Sequence, residues 1–306
     1  MHTADTPAAG TDGQDLCGFL VIDKPQGLTS HDCVNRVRRA YGLRRVGHGG
    51  TLDPAVTGVL PIALGPATRL LPYLPEGKAY RGVIQLGLRT SSDDLEGEIL
   101  SREPVPTLMQ EELQRALEAF RGEILQTPPQ VSAVHVNGER AYRRVRRGEQ
   151  LDLAPRPVRI DQLELLHWNP GESSLEISLR CSAGTYVRAL ARDLGDALGT
   201  GGCLASLRRT EALGFNLAQA LPLERLQQPP LPPLLDPLLP LQALARHTLQ
   251  PDALAGWRCG RSQMGPEALP VGTAVVVVQP DGNLAGIASA QADGTLQPRL
   301  VLQAAG

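Results

Sequence analysis

Residues 175–198 read LEISLRCSAGTYVRALARDLGDAL, and the fold class turns on them. Leu175, Ile177, Leu179 and Cys181 alternate with Glu176, Ser178 and Arg180, the period of a strand buried on one face. After Ser182-Ala183-Gly184 the period changes: Val187, Leu190, Leu194 and Leu198 recur as one side of a helix. Outward from there, Gly18–Ile22 is an apolar run halted by Asp23-Lys24-Pro25, a buried strand ending at a proline. Thr29 or Ser30 caps the next helix, whose stripe is Cys33, Val34, Val37, Ala40 and Tyr41. Residues 46–61, VGHGGTLDPAVTGVLP, read as a glycine- and proline-rich loop, and Tyr80 to Leu88 as a strand. Thr107 to Ile124 reads as an amphipathic helix with a Thr107–Gln110 capping box, and Asn137-Gly138 as a hairpin turn. The run 222–240 holds seven prolines and reads as a linker. Beyond it, three short strands from Ala274 onward, separated by Pro-Asp-Gly and Ala-Asp-Gly turns, make a small β module. Strands and helices interleave without the regular alternation of a doubly wound sheet. The expectation is an α+β fold with a mainly antiparallel mixed central sheet flanked by helices. It divides into a tail (1–17), a first domain (18–220), a linker (221–244) and a β-rich module (245–306).

Composition narrows the classes. At 306 residues the chain has room for about two domains, and 42% apolar residues suffice for a core. Aromatics are only 3%, so that core is aliphatic and each tyrosine merits separate attention. No long apolar run lacks charges or breakers, and MHTADTPAAGTDGQDL has neither the basic nor the apolar region of a signal peptide. Five scattered cysteines, with no CxxC and no HExxH, argue against a disulfide framework and a zinc site, and for a reducing cytoplasm. Neither G-x-G-x-x-G nor G-x-x-x-x-G-K-[ST] occurs, so no phosphate-loop cofactor site is expected. A net charge of −2 is silent about nucleic acid, but the arginines are clustered. Five lie within 36–45, among them Arg38, Arg39 and Arg44, and five within 140–147, among them Arg143 and Arg147. Guanidinium forks match phosphate oxygens; the plain alternative is a pair of solvated helix faces.

Three segments could carry chemistry. In Gly47-His48-Gly49-Gly50-Thr51-Leu52-Asp53-Pro54 the glycines let a ligand approach the backbone, while Pro54 biases Asp53 towards an extended conformation. A carboxylate held in such a loop is a candidate nucleophile or base. Taken alone, an Asp-Pro pair is more often a turn and a loop histidine more often a surface group. In Ser182–Arg188 a strand end, a glycine and a helix start bring Tyr186 and Arg188 to one sheet edge. An arginine there favours the charged form of a nearby carboxylate, and a tyrosine offers a flat face for a base. Tyr80 opens a strand behind Lys78. Lys24 and Lys78 are the only two lysines of the chain, and both border these segments.

GFLVIDKPQGLTSHD (18–32), GHGGTLDPAVTGVLPIALG (47–65), KAYRGVIQLGLRT (78–90), QTPPQVSAVHVNGERAYRRVRRG (126–148), SAGTYVRALARDLG (182–195) and LRRT (207–210) together resemble the successive motifs of the TruB family of tRNA pseudouridine synthases. The resemblance covers about 18–220. It implies that Asp53 is the catalytic aspartate, His48 lies beside a flipped nucleotide, and Tyr80 stacks on the target base. Tyr186 and Arg188 match the family's G-T-Y-x-R motif, in which the arginine pairs with the aspartate, and Leu207 matches an apolar pocket contact. Lys24 and Pro25 match a motif that buttresses the aspartate loop, in which Gly50 and Thr51 also stand. Gly49-Gly50, Ser91, Val131 and His135 depart from the usual family residues. The implied substrate is the T-loop uridine of tRNA, conventionally uridine 55, extruded from its loop before reaction. The implied partner is the tRNA T-arm and elbow, gripped by the arginine clusters, with no metal, cofactor, guide RNA or membrane and a monomeric enzyme. Residues 245–306 resemble, more diffusely, a PUA-like RNA-binding module. An RNA-binding or tRNA-folding chaperone would not need the Asp53–Tyr80–Arg188 set. The related guide-RNA-dependent synthases are a second alternative, against which the short chain and the absence of a basic tail weigh. A glycosidase, a third, wants two facing carboxylates where this loop offers one.

Overall fold

A computed structural model of the chain describes residues 16–303 except 133, 137, 146, 267 and 268; the expected tail lies outside it save for Leu16 and Cys17. The described residues build one ten-stranded and one five-stranded sheet, with two short two-stranded ribbons. The large sheet comprises β1 (Gly18–Lys24), β2 (Val46–His48), β3 (Thr57–Leu64), β4 (Lys78–Leu86), β5 (Gly122–Gln126), β6 (Arg156–Asn169), β7 (Ser174–Cys181), β8 (Gly202–Ala212), β9 (Phe215–Asn216) and β10 (Leu221–Pro222). Its order is β10-β1-β3-β8-β4-β7-β6-β5, with β2 on β3 and β9 on β8. Only β1–β10 and β3–β8 are parallel, so the expected mixed, mainly antiparallel sheet forms.

Alternation along β1 shows how the sheet is packed. Leu20 and Ile22 enter a core with Cys33, Val34 and Val37 of helix α1 (Ser30–Ala40) and Leu113 and Leu117 of α2 (Gln110–Glu118). After the five-residue α3 (Ala141–Val145), α4 (Val187–Ala197) adds Val187, Leu190, Ala191 and Leu194 to the same core. Phe19 and Val21 point the other way and meet Val276, Ile287 and Leu300 of the C-terminal module. That module is the five-stranded sheet β11 (Ala245–Thr248), β12 (Gln263–Met264), β13 (Ala274–Val278), β14 (Leu284–Ala290) and β15 (Thr295–Val301), in the order β11-β13-β14-β15-β12. The short helix α5 (Ala253–Arg258) seats Trp257 in its core. The proline-rich run 221–244 lies against β1: Phe19 and Leu235 exchange both backbone hydrogen bonds (3.0 and 2.7 Å), and the Tyr41 hydroxyl donates to the Pro232 carbonyl at 2.5 Å.

Several elements differ from expectation. The helix expected at 107–124 is only Gln110–Glu118; Gly122, at φ +84, ends the turn that follows, and Ile124 belongs to β5, paired with Val158. Its cap is Met109, whose N–H donates to the Glu112 carboxylate at 2.7 Å. The expected 46–61 loop carries β2 at one end and runs into buried β3 at the other. Pro61 sits inside β3 with its carbonyl accepting from Gly49 N–H at 3.0 Å. Helix α1 is capped by Thr29 as expected, closed by Asp32 in a reciprocal capping box. The hairpin around Gly138 forms between His135–Val136 and Glu139–Arg140; Asn137 itself lies outside the described residues.

Candidate active site

The loop between β2 and β3 is pinned before its chemistry begins. Lys24, fully buried, donates from Nζ to the carbonyls of Pro25 (2.9 Å), Leu28 (2.7 Å) and Pro54 (3.1 Å). Gly27 N–H adds a bond to Pro54 at 2.8 Å. The Ser30 hydroxyl accepts from Leu52 N–H at 2.8 Å, and Val56 N–H closes a turn on the Asp53 carbonyl at 3.0 Å. Burial holds the Lys24 ammonium below its ordinary pKa, and three carbonyls in place of water are what make the buried cation tolerable. Asp53 is thereby fixed at the mouth of a cleft of about 230 Å³.

A loop, two strands and the start of a helix wall that cleft. Thr51, Asp53 and Val56 come from the loop, Lys78 and Tyr80 from β4, Tyr186 and Arg188 from the start of α4, and Leu204 and Leu207 from β8. Arg188 is the electrostatic centre. Its side chain is only 9% exposed; Nη2 lies 2.9 Å from Asp53 Oδ2 and donates to the Val131 carbonyl at 3.1 Å. Nη1 donates to the Ser92 carbonyl at 3.0 Å, and Nε lies 3.6 Å from Asp94 Oδ2. Such charge-assisted contacts orient a carboxylate more firmly than neutral ones. The Asp53 side chain remains 47% exposed, so a ligand in the cleft can reach it. Gln126 at the end of β5 clamps the Tyr186 backbone, accepting from its N–H at 2.8 Å and donating to its carbonyl at 3.1 Å.

Behind the cleft lies Arg209 of β8, fully buried and in register with Tyr80. Its Nε donates to the Val59 carbonyl at 2.7 Å and Nη2 to the Gly50 carbonyl at 3.1 Å. Burial pushes the Tyr80 phenol above its ordinary pKa, against the pull of the adjacent Arg209 guanidinium. Burial and then Arg209 lower Lys78, and the same two causes lower His48.

The sequence-derived residues therefore separate into groups. Thr51, Asp53, Tyr80, Tyr186, Arg188 and Leu207 converge on the cleft, with Lys24, Pro25 and Gly50 beneath its loop. His48 sits on β2 outside the cleft wall, with Nδ1 buried and without a hydrogen-bond partner among the described residues. Arg38 and Arg39 bond Asn35, and Arg44 is exposed after α1. Arg147 forks onto Glu139 (2.7 and 2.8 Å) and also meets Glu149, while Arg143 is exposed on α3; Arg146 lies outside the described residues. Sequence reading missed Arg209, Asp94 and Leu204 and left Lys78 unassigned. Asp94 announces itself only as part of Ser91-Ser92-Asp93-Asp94, and Arg209 only as the second arginine of LRRT. Among the described residues no group of three His, Cys, Asp or Glu could hold a metal ion, and no helix is long and apolar enough to cross a membrane.

The backbone is a pseudouridine synthase fold. It superposes on the Cbf5 chain of a Cbf5–Nop10–Gar1 complex with a TM-score of 0.73 over 94% of this chain and 85% of that one, at 23% identity. A chain of an H/ACA RNP bound to a substrate RNA containing 2′-deoxyuridine gives 0.72 over 93% and 84%, at 22% identity. Residues 38–187 match the model of the TruB family pseudouridylate synthase N-terminal domain, and 188–233 that of the tRNA pseudouridylate synthase B C-terminal domain. The chain is 63% identical to the tRNA pseudouridine synthase B of Parasynechococcus marenigrum (strain WH8102), over 94% of this chain and 98% of that protein. Identity to that of Synechococcus sp. (strain WH7803) is 57% over the same shares. The chain belongs to the TruB family of pseudouridylate synthases. Its reaction is an isomerisation, since uridine and pseudouridine contain the same atoms.

Proposed function

We propose that this protein converts the T-loop uridine of tRNA, conventionally uridine 55, to pseudouridine, with Asp53 as the catalytic residue. The observation that carries the reading is the Asp53–Arg188 contact of 2.9 Å at a cleft flanked by Tyr80 and Tyr186. A uridine inside a folded loop must be extruded, at a cost of a few kcal/mol, and stacking returns roughly 1–3 kcal/mol per base. Tyr80 supplies that stacking, Tyr186 and Leu207 complete the pocket, and His48 braces the vacated place in the RNA. Lys24, Pro25, Gly50 and Thr51 keep the Asp53 loop in position. Asp53 then attacks C1′, adds to C6 of the ring or removes the C2′ proton; each needs a carboxylate at the sugar–base junction, and none needs a metal or redox cofactor.

The T-arm and elbow of tRNA are the partner, contacted through phosphates by Arg38, Arg39, Arg44, Arg143 and Arg147. For Arg147 this requires exchanging Glu139 and Glu149 for phosphate oxygens. Residues 18–220 form the catalytic domain and 245–306 a PUA-like RNA-binding module, joined by the proline-rich 221–244. The enzyme works in the cytoplasm as a monomer without guide RNA. Incubating the purified protein alone with unmodified tRNA transcript tests the reading: wild type should form pseudouridine, and Asp53→Asn should bind tRNA but lose at least 10³-fold in turnover. Near-wild-type activity of that variant would sink the assignment.

A further inference from the structure

Lys78 and Arg209 set two cationic nitrogens against one point beneath the Asp53 loop. The position of a Cβ on Gly50 lies 3.4 Å from Lys78 Nζ and 3.6 Å from Arg209 Nη1. Neither nitrogen has an anion beside it. Arg209 is fully buried, and its Nη1 has no hydrogen-bond partner of good geometry among the described residues. The Lys78 ammonium makes no hydrogen bond or ion pair with the described residues; exposed Glu76 and the buried Cys181 thiol act on it only at longer range. Buried or half-buried cations without a counter-charge are costly, and Lys78 is the one of the two that lines the cleft, which points to an anionic group that arrives with the ligand. Lys78 and Tyr80 stand two residues apart on β4, leave the sheet on one face and line the cleft with Asp53. A base stacked on Tyr80 would lie on the strand face that carries Lys78.

We propose that Lys78 takes up the negative charge that develops on the uracil ring during the reaction, an inference that rests on the roles given above to Asp53 and Tyr80. Breaking C1′–N1 leaves its electron pair on the uracil, spread onto O2 and O4. The new bond runs from C5 to C1′, the C5 proton departs and N1 gains a proton, so the isomerisation balances without a co-reactant. Addition of Asp53 at C6 loads the same ring with charge. An ammonium aimed at a ring oxygen stabilises the state these routes share. Arg209 does not reach the cleft; it is a positioning residue, whose charge behind Lys78 turns the ammonium outward.

A phosphate oxygen of the flipped nucleotide offers similar chemistry, but a phosphate is already charged before reaction and the ring is not. Single-turnover rate, tRNA Kd and the salt dependence of Kd separate the two. Lys78→Met should slow single-turnover conversion about 10²–10³-fold, the usual effect of losing one such donor, with Kd and salt slope unchanged. Lys78→Arg, which keeps the charge, should fold and recover at least tenfold of that loss. A Lys78→Met rate within threefold of wild type would overturn the proposal. So would a loss confined to Kd with a shallower salt slope, which marks a phosphate contact. Should Lys78→Met fail to fold, a folded, tRNA-binding Lys78→Arg as slow as Asp53→Asn overturns it equally. Activity surviving in Asp53→Asn, run in parallel, would instead indict the reading on which the inference rests.

Discussion

Lys24 and Arg209 are both fully buried cations, yet they do different work. Lys24 is saturated by three carbonyls and holds a loop. Arg209 leaves Nη1 without a hydrogen bond of good geometry among the described residues and sits behind Tyr80, Lys78 and His48; its charge pulls the pKa of each downward, although burial leaves Tyr80 raised. For His48 the sign can be worked through. Burial and then Arg209 depress the folded-state pKa below the unperturbed 6.5. On acidification the unfolded chain takes up this proton first, so stability falls as pH drops from about 7 towards 5. In urea titrations over that range wild type should lose stability more steeply than His48→Gln, by at most about 1.4 kcal/mol per pH unit, the ceiling for one proton. Equal slopes would mean that His48 is not held neutral by its surroundings.

At the scale of elements, the junction of β3 and β8 decides whether the cleft exists. Gly58 adopts φ +102, and a Cβ there would meet the Arg209 carbonyl at 2.1 Å. Gly58→Ala combines left-handed strain with a backbone clash and should destabilise the protein by more than about 2 kcal/mol; a urea midpoint equal to wild type would refute this. Strand β7 and helices α1 and α4 were legible because their periodicities are long and uninterrupted. Residues 107–124 misled because Phe120 and Ile124 continue the helical spacing, although Gly122 breaks it and Ile124 packs in register with Val158 on a strand. Strand β3 was hidden by Pro61, whose missing N–H is harmless where only its carbonyl is used. In the site, Asp53, Tyr80 and Arg188 stood out by motif. Arg209 and Asp94 did not, because their importance comes from strand pairing and from a shared guanidinium, neither of which a linear pattern records.

At the scale of the molecule, the two sheets share a core. Phe19, Val21, Val59 and Phe215 of the large sheet pack with Val276, Ile287 and Leu300 of the small one. Trp168 on β6 and Trp257 on α5 are the chain's only tryptophans and report on the two parts separately. Followed in single-tryptophan variants, urea unfolding should give one coincident transition. Ile287→Ala should shift both signals by about 2–5 kcal/mol, although it lies in the C-terminal module. Two separated midpoints would show that the parts melt independently. The strand order carries a last consequence, for synthesis. Strand β1 is made before both of its sheet neighbours, β3 and β10, and Phe19 is tied to Leu235. A nascent chain must hold β1 half-paired until residues 221–235 have been made. The apolar face that later receives Val276 and Ile287 stays uncovered for longer still, a window in which a chaperone, or another nascent copy, can occupy it first.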